Sequence, residues 1–206
     1  MDKTVKTIES YNRCVRDFVE KYMDLGKYKR FVEEFSDRLK TGAKILDLGC
    51  GPGNVAKLLM DQHREYQIWG VDLSMEMIKL AQRNVPSGHF ILQDIRFLEP
   101  ARTFDAIIAS FCLIHLDDDE TNRLVKKTFT WLNENGCIYI SFMTGGKPGF
   151  EKPNFSDGEI YFNYYFPERM SQMLEEAGYQ IVSRQNQDYL RKDGKKISDV
   201  FIIARK

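Results

Sequence analysis

The 206-residue sequence predicts an α/β protein: a mixed, mostly parallel sheet with helices on both faces. Three observations predict it. From residue 43 onward, short apolar runs alternate with stretches of helical periodicity. Near the C-terminus that alternation gives way to two long strand-like runs around Asp193-Gly194, a hairpin signal. The length suits one domain, and such a chain buries about 70% of its extended surface without staples.

The elements follow in order. Residues 5–40 are expected to be helical, with Val15, Phe18, Val19, Tyr22 and Met23 on one face and Phe31, Val32 and Phe35 on the next. Gly26 separates these two helices, and Thr41-Gly42 ends the pattern. Strands are expected over 44–48, 67–71, 89–93, 104–111 and 137–142. The run Phe104–Phe111 is almost wholly apolar, as a strand buried on both faces should be. Helices are expected over 54–63, 75–83 and 120–132, between the strands. Strand–helix–strand succession implies parallel strands joined by right-handed crossovers. Pro167 opens a last helix and Gly178 closes it. Strands over 180–190 and 196–204 then make an antiparallel hairpin. Residues 143–166 begin as loop, with Gly145-Gly146 and Pro148-Gly149. They also hold seven aromatic residues, which argues against disorder.

Composition narrows the function. Thirty basic and thirty acidic residues give a formal net charge of +0. That argues against a protein that coats nucleic acid, where binding grows with the number of phosphates neutralised. Cys14, Cys50, Cys112 and Cys137 are scattered, without zinc-ligand spacing, and read as reduced buried thiols; no metal is expected. No apolar run reaches the roughly 20 residues of a membrane span. The first residues lack a signal-peptide core, so a cytoplasmic location without membrane contact is expected.

The chemistry gathers at Ile45-Leu46-Asp47-Leu48-Gly49-Cys50-Gly51-Pro52-Gly53. A strand ends in three alternate glycines and a helix follows, so backbone can turn sharply against a ligand. Asp72 ends the second strand roughly twenty residues on, where such folds hold ribose hydroxyls. In a dinucleotide fingerprint the third glycine would fall at Asn54, one residue later. Asp47 adds negative charge where a pyrophosphate would lie, which favours a cationic ligand.

This stretch resembles the first motif of the class I S-adenosylmethionine (SAM)-dependent methyltransferases. Val71-Asp72-Leu73-Ser74-Met75, Leu92-Gln93-Asp94-Ile95, Phe104–Ala109 and Asn135–Ile140 resemble that family's later segments in order. The resemblance covers residues 41–206 and implies a single Rossmann-like three-layer sandwich, its seven-stranded sheet having five parallel strands and the C-terminal hairpin. Residues 1–40 would form an N-terminal helical lid, and 143–166 an insert on the acceptor side. It implies that Gly49, Gly51 and Gly53 wrap the methionine part of SAM, with Asp47 near its amino group. Asp72 would hold the ribose, Leu73 or Met75 the adenine face, and Asp94 and Ile95 the adenine edge. Ser110 and Phe111 would lie beneath the transferring methyl. Tyr11 matches the tyrosine that many small-molecule members carry on a closing N-terminal helix.

His115 follows the fourth strand and is either a general base or a packed histidine. Tyr161, Tyr164 and Tyr165 either line an acceptor pocket or pack a lid or dimer contact. Asp117–Glu120 suits a helix N-terminus better than a cation site. The reading is a methyltransferase acting on a small molecule, as monomer or homodimer. The rivals are a tRNA or protein methyltransferase, a non-catalytic SAM-binding protein and, least favoured, an NAD-dependent oxidoreductase.

Overall fold

A computed structural model describes residues 2–190 and 196–206; the expected turn at Asp193-Gly194 lies outside them. Strands β1 (Lys44–Leu48), β2 (Gln67–Asp72), β3 (His89–Leu92), β4 (Phe104–Ser110) and β5 (Leu132–Thr144) run parallel. The hairpin strands β8 (Gln180–Leu190) and β9 (Lys196–Arg205) complete a seven-stranded sheet in the order β3-β2-β1-β4-β5-β9-β8. In this sheet β9 runs against the direction of the other six strands, because the chain reverses between β8 and β9 before β9 pairs with β5. The sheet reverses its winding at β1 and β4, so the carboxyl ends of those strands open a crevice.

Two apolar layers sandwich the sheet. On one face Leu46, Ile107, Ile140 and Ile202 meet α6 (Asp118–Trp131) and α7 (Pro167–Glu176). On the other, Ile45, Ile108, Tyr139 and Phe201 meet α3 (Lys29–Ser36), α4 (Asn54–Met60) and α5 (Met75–Asn84). Helix starts follow their caps. Ser74 accepts from the Met77 N–H, and Asp117 with Glu120 forms a capping box on α6.

The N-terminal region differs from the expected pair of helices. It breaks at Cys14 into α1 (Lys3–Arg13) and α2 (Val15–Tyr22), with a second break at Gly26, whose φ of +50° suits glycine. The break lets Tyr11 on α1 and Tyr22 on α2 both contact Phe155. The expected lid over 1–40 is therefore divided. Residues of α1 and α2 cover the crevice, whereas Phe31, Val32 and Phe35 of α3 are core residues, with Phe31 stacked on Phe201 at 3.7 Å. Residues 143–166 are more ordered than a loop. Strand β5 continues to Thr144, and a small ribbon, β6 (Gly149–Glu151) with β7 (Ile160–Phe162), lies under α1.

Candidate active site

Gly49, Gly51 and Gly53 all have positive φ, at +62°, +52° and +78°. Their surroundings differ. A Cβ on Gly49 would meet the Cys112 Cβ at 2.3 Å, so its hydrogen is what lets the β1 and β4 turns close together. A Cβ on Gly51 would meet nothing, leaving its backbone open to the cavity. Gly53 packs against Ala81 of α5 and does not line the cavity.

The cavity is about 950 Å³ and runs under α1 and α2. Asp72 stands at one end. Its carboxylate accepts from Gly51 N–H at 2.9 Å and Ser74 N–H at 2.8 Å. Burial raises its pKa, while those amide bonds pull the other way. Leu73, Asp94, Ile95 and Ser110 line the same space. Met75 does not: it opens α5 and is 44% exposed, pointing away from the crevice. Asp94 is held by Arg96, which donates from Nε at 3.0 Å and Nη2 at 2.6 Å and also reaches Glu120 at 2.8 Å. Lys3 of α1 joins this network through Asp117 and Glu120.

Asp47 lies beneath the glycine turn, outside the cavity lining, with Oδ2 buried and unpartnered. Burial, then the Asp72 charge, push its carboxyl up to about 8.

Tyr11 of the N-terminal helix and the candidate base His115 are brought together. The Tyr11 hydroxyl lies 3.1 Å from His115 Nε2, and His115 Nδ1 lies 2.8 Å from the Tyr161 carbonyl oxygen. A carbonyl only accepts, so Nδ1 carries the hydrogen and Nε2 accepts from Tyr11. Burial lowers the His115 pKa to about 4, which keeps the ring neutral, and raises that of Tyr11. Of the three later tyrosines, only Tyr164 lines the cavity. Tyr165 is buried and bonds Thr121, Leu113 O and Leu116 O, bracing the His115 turn. Tyr161 contributes its backbone: its N–H donates to Thr7 while its carbonyl orients His115.

Sequence reasoning missed Tyr22, Tyr28 and Asp199, all on the cavity wall. An acid beside Val200-Phe201-Ile202-Ile203 was the available signal for Asp199.

Residues 45–136 match the family described as a methyltransferase domain. The chain carries a methyltransferase domain over those residues. The fold of this chain is similar to that of a solved structure, the N-methyltransferase NodS from Bradyrhizobium japonicum with bound S-adenosyl-L-homocysteine. The TM-score is 0.74 at 14% identity, covering 100% of this chain and 99% of that one. Phosphoethanolamine N-methyltransferase 1 of Triticum aestivum is 31% identical over 179 residues, 82% of this chain and 35% of that protein. Trans-aconitate 2-methyltransferase of an Azoarcus strain is 36% identical over 102 residues, 50% of this chain and 40% of that one. The chain thus spans well under two thirds of those two relatives. Among the described residues, no His/Cys/Asp/Glu group is arranged to hold a metal, and no helix is long and apolar enough to cross a membrane.

Proposed function

We propose that this methyltransferase moves a methyl group from SAM to a nucleophilic atom of a small-molecule acceptor. One observation carries the reading. A single cavity of about 950 Å³ joins the glycine turn and Asp72 to an aromatic wall beneath α1 and α2. Small-molecule sites run from roughly 300 to 1,000 Å³, so this one has room for donor and acceptor together. The roof is tied down at Tyr11–His115, at Thr7–Tyr161 and at Asn12–Ser74, the last at 2.6 Å. A cavity closed in this way suits an acceptor that fits inside better than a polymer. The relatives named for phosphoethanolamine and trans-aconitate agree with that class.

The residues fit the donor. Bare backbone at Gly51 faces the cavity, and the nearby Asp72 is already oriented by two amides. SAM, when bound, supplies an electrophilic methyl on a sulfonium that leaves as a neutral thioether. Gly49 and Gly51 would hold its amino-acid part, Asp72 its ribose, and Leu73, Asp94 and Ile95 its base. Ser110 and Phe111 close the β4 end where acceptor and methyl must align; alignment alone is worth up to roughly 7–11 kcal/mol. Tyr11, held by its bond to His115 Nε2, stands on the cavity wall where its hydroxyl oxygen can accept a hydrogen bond from the acceptor and orient it. Nδ1 is bonded to Tyr161, so the ring keeps its orientation.

The test is transfer from methyl-labelled SAM to a panel of small amines, alcohols and carboxylic acids, with RNA and protein fractions in parallel. Label in a small molecule, matched one-to-one by S-adenosylhomocysteine, is expected. Label confined to RNA or protein would overturn the acceptor class, and failure to bind SAM would overturn the donor.

A further inference from the structure

Asp199 is a carboxylate in an apolar strand. Val200, Phe201, Ile202, Ile203 and Ala204 follow it, all buried, and Asp199 itself is only 3% exposed. It nonetheless stands on the wall of the cavity. A buried carboxylate is expensive unless hydrogen-bonded or matched by a cation. Its bonding partners are phenols. The Tyr28 hydroxyl donates to Oδ2 at 2.5 Å, and Tyr189 makes a second bond. Lys27 acts on it only through space; that exposed side chain is also on the cavity rim, and its ammonium lies over the Tyr28 and Tyr189 rings, at 5.1 and 5.2 Å.

Tyr28, which bonds the carboxylate, belongs to an aromatic cluster. The Tyr28 ring is 5.8 Å from Phe111 and 5.7 Å from Phe201. Phe111 holds a left-handed φ of +51°, rare for a bulky residue. Its N–H is pinned by the carbonyl and hydroxyl of Ser141, and the strained backbone places Phe111 on the cavity wall. The Tyr22 ring lines the same wall, and its phenol feels the Asp199 charge. A carboxylate that shares a cavity wall with Tyr22, Tyr28 and Phe111 offers negative charge and electron-rich rings to a cation.

Position separates this cluster from the donor end. Asp72 is on β2 and Asp199 on β9, four strand positions away. That is roughly 19 Å at the usual strand spacing. Asp199 lies opposite Met143, while Ser110 lies opposite Ser141, so the carboxylate adjoins the β4 end from the side away from Asp72.

We propose that Asp199, with the rings of Tyr28, Phe111 and Tyr22, binds a cationic nitrogen of the acceptor. The acceptor class is thereby small ammonium-bearing molecules, not carboxylic acids. The inference rests on the small-molecule methyltransferase reading for what the ligand is, but the cation site can be measured apart from it.

The experiment is calorimetry on the full chain. S-adenosylhomocysteine is titrated first, into wild type, Asp199→Asn and Tyr28→Phe. Choline, its uncharged isostere 3,3-dimethylbutan-1-ol and the tricarboxylate tricarballylate are then titrated into each saturated complex. Wild type should bind choline at least tenfold tighter than the isostere and should not bind tricarballylate. Asp199→Asn keeps an oxygen that can accept from Tyr28, so the fold and the S-adenosylhomocysteine affinity should hold within twofold while the choline preference vanishes. Tyr28→Phe keeps carboxylate and ring and should retain the preference. Equal binding of choline and isostere, no binding of either, or a preference that survives Asp199→Asn would overturn the cation site. Failure of S-adenosylhomocysteine to bind wild type would overturn the donor reading alone. The choline comparison, run on the free protein, would still decide the site.

Discussion

Replacing Asp47 with Asn tests whether a buried carboxyl sets the pH dependence of stability. In the folded chain, burial and then the Asp72 charge push Asp47 up to about 8. In the unfolded chain an aspartate titrates near 3.9. Between those values the folded state keeps a proton that the unfolded state has released, so stability falls as pH rises. The slope approaches ~1.4 kcal/mol per pH unit through the middle of that window. From pH 5 to pH 8, Asp47 should therefore remove ~4 kcal/mol from the ligand-free protein. The amide introduced by Asp47→Asn cannot titrate. Urea unfolding of both proteins at pH 5, 6.5 and 8 measures the difference. His115 contributes with the opposite sign: burial lowers it to about 4, so its stability is present above about 6.5 and is lost as pH falls toward 4. That contribution is common to both proteins and cancels. The difference should move in favour of Asp47→Asn by ~4 kcal/mol between the two extremes. Parallel curves, with a difference constant within about 0.5 kcal/mol, would show that Asp47 is ionised in the fold and refute the argument.

Three further outcomes are expected. Tyr11→Phe keeps the ring contacts with Phe18 and Phe155 but removes the hydroxyl on His115. Steady-state turnover should fall at least tenfold with S-adenosylhomocysteine affinity within twofold, and unchanged turnover would make the bond purely structural. Gly49→Ala sets a Cβ 2.3 Å from that of Cys112 at a φ of +62°. Thermal melting should show a loss of at least ~2 kcal/mol, together with loss of the melting shift given by S-adenosylhomocysteine. Tyr165→Phe removes a buried hydroxyl shared by Thr121, Leu113 O and Leu116 O. It should cost ~1–3 kcal/mol in unfolding, and turnover should fall with it because the His115 turn loosens.

Much of the fold could be read along the chain because its signals are local. The run from Phe104 to Ser110 needs only its own composition to declare a strand buried on both faces. Asp193-Gly194 between two long runs implies an antiparallel partner, and β9 does oppose β5. The N-terminal helices were harder, since Cys14 is no helix breaker and a break there changes which faces α1 and α2 present. That α3 belongs to the core and not to the expected lid was hidden for a related reason. Phe31 and Phe35 have the same periodicity as Phe18 and Tyr22, and periodicity gives an apolar face without saying what it meets.

Residue order alone was enough for the glycine turn after the first strand, the acid at the end of the second and their succession in an α/β chain. Those features depend on spacing within one unit of structure, where backbone conformation follows residue type. Folding in three dimensions was needed to bring Tyr11 to His115, 104 positions away, and to set the tautomer with the Tyr161 carbonyl. It also moved Met75 out of the crevice, gave Gly53 to helix packing and seated Asp199 beside Tyr28, 171 positions away. Such pairings depend on how strands from distant parts of the chain are ordered across the sheet. Side-chain burial and hydrogen bonding, which shift pKa values and make a site, exist only once that order is in place.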